Sequence, residues 1–203
     1  MQVFNIKHNT MKINTPYFIP LISLLLISCG SKEENKKEPE TSVTTELVKI
    51  VKDTQENRET LVHETPLTKE QFAAWLPETV LGMPLTSSTI NMLPGIGSCG
   101  ATYSIQNRRV RVMIIDGAGE KGNNAVSTYR MSSTMEYDEK GSWGSTKTTT
   151  INGIKVKESA LKNGKFNLSM FYDNRFAVDV ETYEVSHEEL EQLVKELNLG
   201  QLH

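Results

Sequence analysis

Residues 145–183 read STKTTTINGIKVKESALKNGKFNLSMFYDNRFAVDVETY. Three pairs punctuate the stretch, Asn152-Gly153, Asn163-Gly164 and Asp173-Asn174, and each separates runs in which apolar and polar residues alternate. Asn, Asp and Gly accept the positive φ of tight hairpin turns, and alternation with period two marks a strand with one buried face. The stretch therefore predicts strands over 145–151, 154–160, 165–172 and 175–183, joined as an antiparallel meander. Phe166, Leu168, Met170 and Tyr172 fall on one side, as do Phe176, Val178 and Val180 of the next strand, and these form the core face. Lys165 and Asn167, with Asp179 and Glu181 beside them, point the other way, toward water or a partner.

Upstream, residues 99–106 and 109–116 alternate in the same way and predict a hairpin about Asn107-Arg108. Helix starts flank the strands. Thr68-Lys-Glu-Gln71 and Ser186-His-Glu-Glu189 are capping boxes, with hydrophobic staples in Leu67/Phe72 and Val185/Leu190. The first helix must end before Pro77, and the second places Leu190, Leu193, Val194 and Leu197 on one face before a C-cap near Asn198-Leu-Gly200. Residues 123–136 are a weaker third candidate, because serines and threonines interrupt Val126, Tyr129 and Met135. The expected fold is α+β: an antiparallel sheet, hairpin plus four-stranded meander, covered on one face by N- and C-terminal helices over residues 66–203.

The remaining composition sets bounds. The chain after Cys29 suffices for one domain and a tether, and halving it would leave neither part a sizeable core. A formal charge of −3 with interspersed acids and bases gives nucleic acid no electrostatic footing. Residues 30–43, GSKEENKKEPETSV, are too polar to offset the entropy of ordering and read as a leash. From Thr44 to Arg58, Leu47, Val48, Ile50 and Val51 recur at helical spacing, predicting a short helix that docks on the domain, pairs with another protein or flickers.

The N-terminal end carries a different signal. The apolar run from Tyr17 to Ile27 contains Pro20 and falls short of the roughly 20 residues of a membrane-spanning helix. Lys7 and Lys12 precede it and small residues close it, the order of a secretory signal over residues 1–28, with Met11 as an alternative start. Leu26-Ile27-Ser28-Cys29 resembles the lipobox of bacterial lipoproteins. That resemblance implies cleavage before Cys29, a diacylglyceryl thioether on its sulfur and acylation of the new amino terminus, which together give stable anchoring. The competing reading is a plain secretory signal with an accidental cysteine. In such lipoproteins a non-acidic residue after the cysteine, here Gly30, is compatible with delivery to the outer membrane. Lys32-Glu33-Glu34 resembles the acidic signal that exposes some of them on the cell surface, although a solvated linker reads the same. The order hairpin, helix, meander, terminal helix is similar to the PsbP and Mog1-like class of small α+β domains, and to envelope lipoproteins whose last strand reads like NRFAVDVE. This implies a fold and no catalytic motif.

Each group that could carry chemistry also has a structural role open to it. Gly117-Ala-Gly119-Glu-Lys-Gly122 matches GxGxxG, with Glu136 and Asp138 about 20 residues on, but the preceding strand belongs to a hairpin, so a connection is expected rather than a dinucleotide site. His8, His63, His187 and His203 lack metal-ligand spacing, and no metal or cofactor is expected. With the other cysteine occupied by lipid, Cys99 has no internal disulfide partner and is either a buried small hydrophobe or an exposed thiol; burial is expected, because free cysteines are usually packed. The acids Asp173, Asp179, Glu181, Glu188 and Glu189 read as cross-strand partners and caps. Arg109, Arg111, Lys155 and Lys157 would form a basic patch only if their strands are neighbours. Trp143, between glycines in Gly141-Ser-Trp-Gly144, is either a core plug or an interface anchor. The candidate partner-binding residues are thus Trp143, Arg109 and Arg111, and the lipidation candidate is Cys29 with Leu26, Ile27 and Ser28. The sum predicts a non-enzymatic, membrane-anchored envelope lipoprotein that binds a protein or other envelope component. Two alternatives stand beside it: a carrier of small hydrophobic ligands or lipids, with a pocket near Met170, Tyr172 and Phe176, and an immunity protein against a toxin.

Overall fold

The computed structural model describes residues 40–203, so the lipobox residues Leu26, Ile27, Ser28 and Cys29 lie outside it. Over the described residues the fold is α+β, with five helices and a nine-stranded antiparallel sheet in the order β1-β2-β3-β4-β9-β8-β7-β6-β5. Helix α1 spans Glu40–His63 and α2 spans Lys69–Trp75; strands β1 (Thr79–Val80), β2 (Met83–Ile90), β3 (Ser98–Ile105) and β4 (Arg108–Asp116) follow. Helices α3 (Gly119–Ala125) and α4 (Ser127–Ser133) come next, then β5 (Asp138–Gly141), β6 (Gly144–Ile151), β7 (Ile154–Leu161), β8 (Phe166–Tyr172) and β9 (Phe176–Tyr183), and α5 (Leu190–Glu196) closes the sheet.

The turns do what their residues allow. Ile151 opposes Ile154 across Asn152 and Gly153, whose φ values of 51° and 78° fit a primed two-residue turn. Asp173 and Asn174 adopt φ of 50° and 53° between Tyr172 and Phe176. In the first hairpin Ile105 opposes Arg108, so the turn is Gln106-Asn107, one residue earlier than expected, with Gln106 at φ 52°. At the end of α5 it is Asn198, at φ 48°, that takes the left-handed position rather than Gly200.

Hairpin and meander meet at β4 and β9, where Val112 faces Val180 and Ile114 faces Val178. Along one face Tyr103, Val110, Val112, Val178, Val180, Leu168 and Val156 form a continuous apolar layer, and α2 and α5 seal it with Phe72, Trp75, Leu190, Leu193 and Leu197. Both capping boxes form, Thr68 with Gln71 and Ser186 with Glu189. The Trp75 indole N–H donates to the Leu197 carbonyl at 3.0 Å and ties the two helices together. Cys99 is buried and free, and burial pushes its thiol up to about 11.

Three features depart from expectation. The sheet is covered on both faces: α4 sits opposite α2 and α5, because Tyr129 reaches Asp179 and Arg130 lies over the Phe171 ring, and both partners point away from the core face. The helix expected over 44–58 runs from Glu40 to His63, beginning inside the segment read as a leash. It docks through Leu61, 2% exposed, and Asn57, whose amide donates to the Asn174 carbonyl at 2.8 Å. Strands β1, β2 and β5 have no period-two signal. Most of β2 is exposed, and it joins β3 by backbone pairing with a register shift between Leu85 and Ser87.

One charged cluster fixes these layers. Asp116, fully buried, accepts from Arg175 Nε at 2.7 Å and Nη2 at 2.8 Å, and from the Leu67 and Ala118 backbone N–H groups. Arg175 also pairs with Glu64 at 2.8 Å, so a single guanidinium joins the end of α1, the end of β4 and the β8–β9 turn. Hydrogen bonding to Asp116 holds Arg175 even more firmly protonated than usual.

Candidate functional site

The face of the sheet opposite the core is only partly roofed. Alternation places Arg109, Arg111 and Met113 of β4 there, with Asp179, Glu181 and Tyr183 of β9, Asn167 and Ser169 of β8, and Lys157 and Ser159 of β7. α4 covers the part over β7 and β8 and leaves a groove of about 550 Å³ bordered by Tyr129, Tyr137, Lys157, Asn167, Asp179 and Glu181. On the other side of β9, Asp179, Glu181 and Arg111 line a second hollow of about 370 Å³ reaching Thr102 and Ser88. Glu181 and Arg111 also border a third, about 170 Å³, with Arg109, Lys165 and Tyr183. The shared residues make the three hollows lobes of one trough along the open face.

Its polar groups are held from within the fold. The Tyr129 hydroxyl donates to Asp179 Oδ2, and burial together with that bond keeps the hydroxyl protonated far above its ordinary range. Lys157 Nζ stands 4.2 Å from the Tyr137 ring centroid. Arg109 and Lys165 flank the Tyr183 ring, at 5.7 Å and 5.2 Å from its centroid. Arg111 and Glu181 lie 3.9 Å apart with both side chains more than half exposed, a contact too solvated to contribute much to stability.

The predicted candidates separate. Arg109 and Arg111 both line the trough. Lys155 and Lys157 do not join them in a basic patch, because β9 and β8 stand between β4 and β7, and Lys155 pairs with Glu136 at 2.6 Å instead. That bond holds the Glu136 carboxyl below its ordinary value. Trp143 is 44% exposed, at the tip of the β5–β6 turn, and does not plug the core. Its indole packs on Gly141, where an added Cβ would meet Nε1 at 2.6 Å. The adjoining Gly144 pairs with Leu161, which borders the Arg109 lobe, so Trp143 and Arg109 share one end of the sheet without touching. Met170 and Phe176, proposed as pocket walls, are 3% and 1% exposed and belong to the packed core.

Residues 117–122, expected as a flexible connection, are instead close-packed and enter α3 at Gly119. A Cβ on Gly122 would lie 2.5 Å from the Asp116 carbonyl, and the strand before it pairs antiparallel with both neighbours. Among the described residues no group of His, Cys, Asp and Glu is placed to hold a metal. Sequence reasoning missed Tyr129 and Tyr137 as trough residues, since only the return of α4 over β7 and β8 brings them there. It also missed Glu158, which lies on the core face, 3% exposed, between Lys147 at 3.4 Å and His187 at 3.1 Å.

No family model, curated protein or solved structure matches the chain.

Proposed function

We propose that this chain is a membrane-anchored envelope lipoprotein whose folded part is a non-catalytic binding module, with the open sheet face as its recognition surface. The observation that carries the reading is the asymmetry of the sheet. One face is closed by α2 and α5, while the other offers a long trough of polar and cationic-aromatic groups around Asp179, Glu181 and Arg111. Anchorage rests on the Leu26-Ile27-Ser28-Cys29 pattern after a short apolar run. The C-terminal end of α1 docks at the Asp116 end of β4, whereas Arg109, Tyr183 and Trp143 lie at the opposite end of the sheet.

A photoreactive residue placed at Asn167, on the trough, tests this in intact cells against the same residue at Lys195, on the far side of the sheet. The expected result is one dominant protein adduct from position 167 and none from 195, with the adduct reduced by Arg109→Ala and by Trp143→Ala. Equal adducts from both positions, or none from 167, would sink the proposal. A captured envelope toxin would identify the module as an immunity protein, a special case of the same surface.

A further inference from the structure

A second groove, of about 860 Å³, lies outside the trough, between α1 and the α3–α4 pair. At its inner end sits Arg130, 4% exposed. Its Nε donates to Asn57 Oδ1 at 2.9 Å and its Nη2 to Asn123 Oδ1 at 2.6 Å, and its guanidinium stands 5.4 Å from the Phe171 ring centroid. Neutral amide oxygens and an aromatic face solvate this charge without cancelling it. Among the described residues no carboxylate lies within ion-pair distance of it, nor of Arg58, the second guanidinium lining the groove. A buried cation without a counter-ion is costly, and burial and then the nearby Arg58 lower the Arg130 pKa. The single acid on the groove, Glu59, is exposed and bonded to Gln55 at 3.1 Å.

The rest of the groove is apolar and open. Ile50, Val51 and Val62 of α1 face Met131 of α4, and Val51 and Met131 are 65% and 62% exposed. Val48, further up α1, is also exposed, at 63%. A cationic floor between apolar lips matches a ligand with an anionic head and an apolar stem. The chain's own layout says where such a ligand would be met. Ten residues separate Cys29 from Glu40, the start of α1, and they reach at most about 35 Å.

We infer that the α1–α4 groove receives the phosphate headgroup of an anionic phospholipid, with Arg58 and Arg130 on the phosphate and Ile50, Val51 and Met131 against the glycerol and upper acyl chains. The inference uses the anchoring reading only to bring the groove to a bilayer, and the test keeps the two apart. The full chain is mixed with vesicles of phosphatidylcholine alone, or of phosphatidylcholine with phosphatidylglycerol. Sedimentation is measured together with hydrogen exchange of α1 and α4. Sedimentation with both vesicle types reports the anchor. Phosphatidylglycerol at about ten times its dissociation constant is expected to slow α1 and α4 exchange about tenfold. Arg58→Gln should abolish that slowing, and Lys52→Gln, on the outer side of α1 and paired with Glu56, should leave it intact. Sedimentation with phosphatidylglycerol vesicles alone, with protection, would remove the anchor and keep the groove. Sedimentation with both but equal exchange would keep the anchor and overturn the groove; loss of protection in both variants would reduce the effect to generic charge and overturn it as well. If inorganic phosphate reproduces the protection, the site takes a soluble anion and the lipid assignment is wrong.

Discussion

The side chain that most constrains the fold is Asp116. It accepts two hydrogen bonds from Arg175 and two from backbone N–H groups while fully buried, so its four contacts use the acceptor capacity of both oxygens. An arrangement so completely paired is stable as built, and removing one partner leaves the other charge stranded. Asp116→Asn is therefore expected to cost about 3 kcal/mol, near the low end for a broken buried pair because Arg175 keeps Glu64. Urea denaturation checks this, and a loss below about 1 kcal/mol would mean that Arg175 turns to solvent without penalty. In sequence Asp116 is just the last residue of a strand. Its importance comes from residues 49 and 59 positions away, which no local pattern announces.

At the scale of elements, the caps were the most legible feature, because a capping box is completed within four residues. The Ser186–Glu189 box adds a partner the spacing did not name: Arg108 Nη2 lies 2.6 Å from Glu189 Oε1 and links α5 to the first hairpin turn. The backbone N–H of Ser186 and then Arg108 hold the Glu189 carboxyl below its ordinary 4.5. A depressed folded-state pKa means that the stability from this carboxylate is complete above about pH 4.5 and is lost as pH falls through the folded value. Glu189→Gln keeps the cap acceptor and removes the charge. The wild type should exceed this variant by about 0.5 kcal/mol at pH 7 and match it at pH 3, as read from paired melting curves. A constant gap across that range would show that the charge contributes nothing. The strands follow the same logic of locality. β6 to β9 were readable from alternation and turn residues, whereas β5, four exposed residues reading DEKG, is an edge strand whose charges discourage further pairing, and alternation cannot reveal it.

For the whole molecule the decisive contact is the β4–β9 seam, which joins the hairpin to the meander and makes a single apolar layer of both. Val180 lies at its centre, 0% exposed and paired with Val112 and Leu168. Val180→Ala is expected to cost about 2 kcal/mol and to lower one common transition. The two tryptophans report on different parts, since Trp75, the last residue of α2, is buried in the core and Trp143 sits at the outer edge of the meander. Single-tryptophan versions made with Trp143→Phe or Trp75→Phe should give coincident unfolding curves, both displaced equally by Val180→Ala. Curves that separate would show that hairpin and meander unfold independently.

By itself the sequence determined the strands of the meander, the first hairpin, the two capped helices and the division between core-facing and outward-facing residues, because each depends on φ preference, period or capping over a few adjacent residues. It could also place Arg109 and Arg111 on the outward face. Only the tertiary structure decided that β4 joins β9, that Lys155 and Lys157 stand apart from the arginines, that α4 returns over the second face to roof half of it, and that α1 docks beside Arg130. These depend on contacts between residues far apart in the chain, whose free energy is set by packing over the whole molecule. The trough and the groove are the spaces those contacts leave open.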